Sequence, residues 1–256
     1  MKNQLSVLLV VSNEEKQILD CLKTIQFANE IVIILDKCTD NSEIIAKKFT
    51  KKIFKGSWNI EGDRRNFGIS QCSNKWVFEI DADERVSLAL QEEIKFIINN
   101  TDRDFFLIDV ENYVGSKLVK FGWGAYFGKS SYPGLFKKKF KIWGNERVHP
   151  KLKFTTKKSG KLKNCITHYY CKNLSDMILK LDKYSTARAL DLNDKNINET
   201  FFKNFKRIFS RFWKCYVLRK GYKEKEIGFF IAIMASLYPI VSYIKSKDLS
   251  DKSNIY

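Results

Sequence analysis

The stretch Trp76-Val77-Phe78-Glu79-Ile80-Asp81-Ala82-Asp83-Glu84 reads as a buried strand running into a cluster of carboxylates. Its apolar residues are interrupted once, at Glu79, as in a strand covered on both faces, and the acids come where such a strand leaves its sheet. The same pattern recurs upstream. Residues 5–11 (LSVLLVV) form an unbroken apolar run. Ser12 or Asn13 can then cap a helix whose first turn holds Glu14 and Glu15. Ile18, Leu19, Leu22 and Ile25 continue that helix at one-face spacing. A second apolar strand at 30–35 ends on Asp36, and Thr39-Asp40-Asn41-Ser42 forms a turn and cap before a helix near 42–49. A short strand is expected at 52–54, a helix at 63–72, a strand at 75–80, and a helix capped by Ser87 running through about Asn99.

Strand and helix thus alternate through roughly the first 100 residues. This predicts an α/β fold, a parallel sheet covered by helices on both faces with right-handed crossovers. Ligands bind such sheets at the carboxyl ends of the strands. Asp36, Asp81 and Asp83 are therefore expected to share one crevice. After residue 104 the pattern changes. Residues 105–111 and 115–119 read as a hairpin, and 121–170 are rich in aromatics, Gly and Lys. Helical spacing returns at Leu174, Met177, Ile178, Leu181 and Tyr184. The pattern divides the chain into an alternating half (1–104), a second half of the same domain (105–172) and a C-terminal helical region (173–256).

The 256 residues are 44% hydrophobic and 14% aromatic, enough for a packed core. The net charge of +17 is unevenly placed. Residues 1–100 hold 14 Lys/Arg and 15 Asp/Glu, whereas the rest hold 32 and 14. A basic second part suits an anionic partner; a lysine-rich genome would also add lysines, though not to one part alone. Residues 203–225 carry nine Lys/Arg and one acid, and 228–244 are almost wholly apolar with Pro239 inside. That apolar run is at the short limit for a membrane span, so peripheral membrane attachment and an ordinary buried helix are both open. None of the six cysteines forms a CxxC pair, and the 5–11 run is too short for a secretory signal, which points to free thiols in a reducing cytosol. Cys165, His168 and Cys171 lack the spacing of a standard zinc site and supply only three ligands. No GxGxxG follows the first strand, and no P-loop or GxSxG occurs.

Asp81 and Asp83 can both turn toward a ligand if the chain leaves the sheet between them. Hard divalent cations such as Mg2+ or Mn2+ take carboxylate and phosphate oxygens, and they offset charge on a departing diphosphate. Asp36 can accept hydrogen bonds from a base or ribose, or cap the next helix. The segment Gly62-Asp63-Arg64-Arg65-Asn66 brings cations near, and the planar fork of Arg65 suits a pyrimidine or a phosphate. Downstream, Trp143-Gly144-Asn145-Glu146-Arg147-Val148-His149 holds one of the chain's two histidines. Glu146 is an isolated acid among lysines, a general base or an ion-pair partner.

Together these residues resemble the family 2 inverting glycosyltransferases of the GT-A fold, and within them the lipopolysaccharide core β-1,4-glucosyltransferase type. The likeness rests on the opening strand with Asn13-Glu14-Glu15, on Asp36 to Ser42, on Arg65-Asn66-Phe67 and on Asp81 to Val86. Softer pieces are Leu135-Phe136-Lys137, Val148-His149, His168-Tyr169-Tyr170, Leu174-Ser175 and Lys183-Tyr184-Ser185. The resemblance implies a Rossmann-like mixed sheet flanked by helices with a C-terminal helical extension. It implies that Asp36 contacts uracil or ribose, that Arg65 lies near the nucleotide, that Asp81 contacts ribose or phosphates and that Asp83 binds the metal, with His149 a further candidate ligand. Two departures stand out. The usual Asp-x-Gly-Ser-Thr-Asp reads Asp36-Lys37-Cys38-Thr39-Asp40. Where Val-His-Glu is frequent, this chain has Val148-His149-Pro150, which leaves Glu146 and Glu84 as candidates for the base.

The implied activity is transfer of a hexose, glucose first among the candidates, from a UDP-sugar to a lipopolysaccharide or lipooligosaccharide core or another cell-surface glycan. The implied partners are a nucleotide sugar, an anionic glycolipid or oligosaccharide acceptor, and the inner membrane surface. The implied location is cytoplasmic, peripheral on the inner face of the membrane. One alternative is a non-catalytic relative that binds a sugar nucleotide. Another is a nucleic-acid-binding module using the Lys and aromatic residues of 121–163, which leaves the acidic strand ends unexplained; nucleic acid is therefore not expected as a partner.

Overall fold

The computed structural model of the protein describes residues 3–124, 127–146 and 151–253. The alternating region contains β1 (Leu5–Val11), α1 (Ile18–Thr24), β2 (Glu30–Asp36), α2 (Ser42–Ala46), β3 (Ile53–Gly56), α3 (Glu61–Gln71), β4 (Trp76–Ile80), β5 (Glu84–Arg85) and α4 (Leu88–Asn100). Strands dominate next: β6 (Phe105–Val114), β7 (Lys117–Val119), β8 (Ser131–Lys137), β9 (Lys141–Trp143), β10 (Leu152–Phe154), β11 (Ser159–Lys161) and β12 (Ile166–Cys171). Three helices follow: α5 (Leu174–Asp194), α6 (Phe201–Trp213) and α7 (Lys225–Ser253). The main sheet has the order β3-β2-β1-β4-β8-β6-β12-β5. β1 runs parallel to β2 and β4, and β2 to β3, as the alternation predicts. β8 is antiparallel to β4 and β6, so the sheet is mixed.

The chain forms two compact units, the first made of residues 3–111, 131–146 and 151–168 and the second of the remainder. The stretch 105–172 is shared between them. In the first unit β1 and β4 bury both faces, which is why their sequences are apolar without alternation. Leu5, Val7, Leu9, Trp76, Phe78 and Ile80 pack with Ile18 and Leu22 of α1 and Leu90 and Ile94 of α4. Leu8, Val32, Ile34, Val77 and Phe136 pack with Ile69 of α3 on the other side. Each such side chain contributes about 1.5–3 kcal/mol on burial.

Two helix starts show where local signals held and where tertiary contacts overrode them. Ser87 caps α4, its Oγ accepting from the Leu90 amide at 3.2 Å. Ser12 and Asn13 do not cap α1, which starts later, at Ile18, without a side-chain cap. Asn13 instead adopts φ 57° and its Oδ1 accepts from the Thr39 amide at 2.8 Å. The Glu15 carboxylate accepts from the Asn41 amide at 3.1 Å. These polar residues tie the loop after β1 to the loop after β2, and so hold the end of β2 in place.

The second unit has its own core. Val114, Val119, Trp123, Phe127, Tyr170, Met177 and Leu181 pack with Ile231, Ala235 and Tyr238 of α7. The end of β6 pairs antiparallel with β7, giving the expected hairpin. Residues 221–249 are long and apolar enough to cross a membrane by length and composition, but 56% of their most apolar stretch is buried in the protein. The buried-helix reading therefore describes just over half of that apolar stretch.

Candidate active site

β2 and β4 flank β1 and run parallel to it, so their carboxyl ends emerge along the same edge of the sheet. Asp36 ends β2 and is 5% exposed. Its Oδ1 accepts from the Trp58 amide at 3.0 Å and its Oδ2 from Arg64 Nη1 at 2.8 Å. Arg65, one residue on and about 100° around α3, serves the other strand end. Its Nη2 donates to Asp81 Oδ1 at 3.0 Å and its Nε to Glu61 Oε1 at 2.9 Å. Burial alone would lower the Arg65 pKa, but the charges of Asp81, Glu61 and Glu79 outweigh it and hold it well above its ordinary value.

The Arg65 guanidinium lies over the Trp143 ring, 4.9 Å from its centroid. Trp143 is fixed in turn from three sides. Asn66 donates to its carbonyl at 3.0 Å and accepts from its amide at 2.9 Å. Its indole Nε1 donates to Glu79 Oε1 at 2.9 Å. Glu79, the one break in the β4 apolar run, is buried against the equally buried Lys141. The start of α3 lies so close to β9 that a β-carbon on Gly62 would stand 1.7 Å from the Gly144 carbonyl oxygen, which leaves room only for glycine.

The acidic loop after β4 is closed by Glu84. This residue is fully buried, and its Oε2 accepts from the Asp81 amide at 2.9 Å with the Tyr132 hydroxyl 3.2 Å away. Burial, reinforced by Glu84 and Asp81, pushes the Tyr132 phenol well up, so it stays a donor. Arg85 donates to the Ala82 carbonyl at 2.8 Å. The loop turns Asp83 toward β12, where His168 Nε2 lies 3.2 Å from Asp83 Oδ2. β12 pairs with β5 so that His168 stands opposite Glu84. The side chains of Asp81 and Asp83 keep 32% and 20% of their surface open to solvent.

Among the described residues no group of three or more His, Cys, Asp or Glu side chains is gathered as a ready metal site. Asp83 and His168 nevertheless offer one oxygen and one nitrogen. Their spacing is that of a hydrogen bond, and were a divalent cation bound here the same two atoms would be available to hold it. Glu146 lies in the connection after β9, where its Oε2 accepts from the Lys151 amide at 2.9 Å. His149 falls outside the described residues.

The family described as Glycosyl transferase family 2 matches residues 6–150. The chain belongs to this family. A glycosyltransferase of Rickettsia prowazekii, itself uncharacterised, is 24% identical and covers 98% of this chain and 89% of its own length. The lipopolysaccharide core biosynthesis glycosyltransferase LpsC of Rhizobium meliloti is also 24% identical, covering 92% of this chain and 91% of its own. Among solved structures, residues 1–349 of S. aureus TarS share the fold with a TM-score of 0.50 at 15% identity, over 96% of this chain and 88% of that one. The mixed, helix-flanked sheet of this family 2 glycosyltransferase is accordingly GT-A-like, with a helical C-terminal region.

Within the transferase, consecutive arginines of α3 connect Asp36 and Asp81, and the loop closed by Glu84 presents Asp83. Arg64, Trp143 and His168 are part of the same arrangement; each lies in a stretch named above, and none has a site role assigned from the sequence. Arg64 was visible beside Arg65, and helical geometry could have assigned the two arginines to two strand ends. Nothing in the sequence places Trp143 against Arg65, or His168 against Asp83 across 85 residues.

Proposed function

We propose that this glycosyltransferase moves a hexose, glucose first among the candidates, from a UDP-sugar to a lipopolysaccharide or lipooligosaccharide core or another cell-surface glycan, with inversion. The observation that carries the reading is the pair of acidic strand ends, each bound to its own arginine, beside an accessible Asp83 that faces His168. Residues 1–104 supply donor binding and 105–172 the acceptor side. Asp36 accepts from the uracil or ribose, Asp81 from ribose hydroxyls, and Arg65 holds Asp81 while adding positive charge near the phosphates. Asp83 and His168 would hold Mg2+ or Mn2+, with His149 as a further ligand; when bound, the cation offsets the charge growing on the departing diphosphate.

The acceptor hydroxyl loses its proton to a base as its oxygen bonds to the anomeric carbon, and the bond to UDP breaks on the opposite face. Glu146 is the proposed base. Glu84, fully buried and bonded to the Asp81 amide, is a positioning residue that shapes the loop. The excess of positive charge after residue 100 supports an anionic acceptor. Similarity to LpsC, a lipopolysaccharide core biosynthesis glycosyltransferase, supports a core glycan acceptor, and the basic stretch 203–225 beside the apolar 228–244 supports peripheral attachment at the inner face of the membrane.

The test is UDP release across a panel of UDP-sugars, with chelator, Mn2+ or Mg2+. Metal-dependent release from one UDP-hexose is expected. Nucleotide binding with no release from any donor would identify a non-catalytic relative, and absence of both would overturn the reading.

A further inference from the structure

Helix α6 has an apolar face directed away from the protein. A surface helix ordinarily turns its apolar stripe inward. On α6 the stripe comprises Phe201, Phe202, Phe205, Phe209 and Trp213, and the single buried residue is polar Asn204. Phe202, Phe209 and Trp213 remain 64%, 65% and 58% exposed. The rings nevertheless form an ordered ladder, with centroids 6.1 Å apart between Phe201 and Phe205 and 5.5 Å between Phe205 and Phe209. Thr200 caps the helix, its side chain accepting from the Lys203 amide at 3.3 Å. The segment is thus a formed helix anchored on α7, with aromatics displayed on its free side.

Charge selects what that face meets. Lys203 and Lys206 border the aromatic stripe and are exposed, and the Lys206 ammonium lies 4.4 Å from the Phe202 ring centroid. The one acid of 203–225, Glu224, is turned inward, where it accepts from the Lys120 and Phe121 amides at 2.7 and 3.0 Å. The exposed side chains of 201–225 therefore combine aromatics with cations and include no acid. Leu218 and Tyr222 extend the apolar display past the helix. A helix with aromatics on one face and Lys/Arg on the other lies in the plane of an anionic bilayer, rings at the acyl boundary and ammonium groups at the phosphates. α7, by contrast, places Ile231, Ala232, Met234, Ala235 and Tyr238 in the unit's own core.

We propose that α6 is an interfacial membrane helix that docks the protein on an anionic lipid surface through Phe202, Phe209 and Trp213, with Lys203 and Lys206 at the headgroups. This names the element behind the membrane contact proposed above. Vesicle binding is read without donor or acceptor, so its failure leaves the transferase reading standing.

The experiment is flotation of the full chain with vesicles of phosphatidylethanolamine and phosphatidylglycerol in a two-to-one mixture, and with pure phosphatidylcholine. Binding to the anionic vesicles that weakens with salt is expected. The triple variant Phe202→Ser, Phe209→Ser, Trp213→Ser should bind at least about tenfold more weakly with an unchanged unfolding midpoint, because these side chains are exposed. Lys203→Glu with Lys206→Glu should lose the preference for the anionic vesicles. Equal binding by the triple variant would overturn the proposal. So would a wild-type chain that self-associates in sedimentation while the triple variant is monomeric, since the face would then be a contact between copies.

Discussion

In the first unit, charged side chains near the strand ends are paired and partly or wholly buried; along α6 in the second, lysines stand exposed beside exposed aromatic rings. Asp36 meets Arg64, Asp81 meets Arg65 and Glu79 meets Lys141. Such pairs cost desolvation, which the opposite charge and further donors such as the Trp58 amide on Asp36 and the Trp143 indole on Glu79 offset. They hold side chains in one geometry, which is what recognition of a small, polar, anionic ligand requires. On α6 Arg207 is held by Glu199, but the aromatic rings together with Lys203 and Lys206 project outward, which suits a broad and chemically uniform surface.

The largest effect should come from breaking a buried pair. Lys141→Met leaves the Glu79 carboxylate buried without its cation and should cost about 3–5 kcal/mol in urea unfolding. Adding Glu79→Leu should recover most of that loss. If Lys141→Met alone is neutral, the pair is not holding the first unit together. An intermediate effect is expected at the site. Arg65→Lys keeps the charge but loses the fork that reaches both Glu61 and Asp81, and it should raise the donor KM about tenfold with a smaller change in kcat. Equal losses in kcat and kcat/KM would instead place Arg65 in the transition state.

The smallest effect lies at Glu30, which takes hydrogen bonds from Lys52, Ser6 and Ser73. Burial alone would raise its pKa, but the bonds from Lys52, Ser6 and Ser73 more than offset this and hold it down to about 2, from 4.5. A lowered folded-state pKa stabilises the fold above the ordinary carboxyl range, and the contribution fades as pH falls from about 4.5 towards 2. Because Lys52 is 43% exposed, screening reduces the contribution at neutral pH to roughly 1 kcal/mol. Glu30→Gln should therefore lower stability at pH 7 and match the wild type near pH 2. A constant difference across that range would assign the loss to packing.

The two units also differ in how far their sequences disclose them. β1, β2 and β4 are legible because strands covered on both faces need unbroken apolar runs, and the acids that follow mark the ligand-binding edge. The helix signals are less secure. Asn13 and Glu15 carry the chemistry of a cap, yet they serve the neighbouring loop, since tertiary hydrogen bonds there compete with local ones. Glu84 is a candidate base in the sequence because Pro150 stands where a glutamate is frequent; the fold buries it, and its carboxylate accepts from the Asp81 amide. Arg64 and His168 depend on the packing of α3 and on antiparallel register, neither of which a local pattern encodes. In the second unit the basic and apolar stretches were both visible. Only the structure shows that the apolar stretch of α7 is mostly core, while the aromatic face of α6 is open.

The central claim is that Asp83 holds the cation that serves UDP departure. The direct measurement is UDP release by Asp83→Asn in saturating Mn2+, with thermal melting as the check on folding. The account predicts a fall in kcat/KM of at least about a hundredfold with the melting transition within a degree or two of wild type. Undiminished, metal-stimulated turnover by a folded Asp83→Asn protein would contradict it.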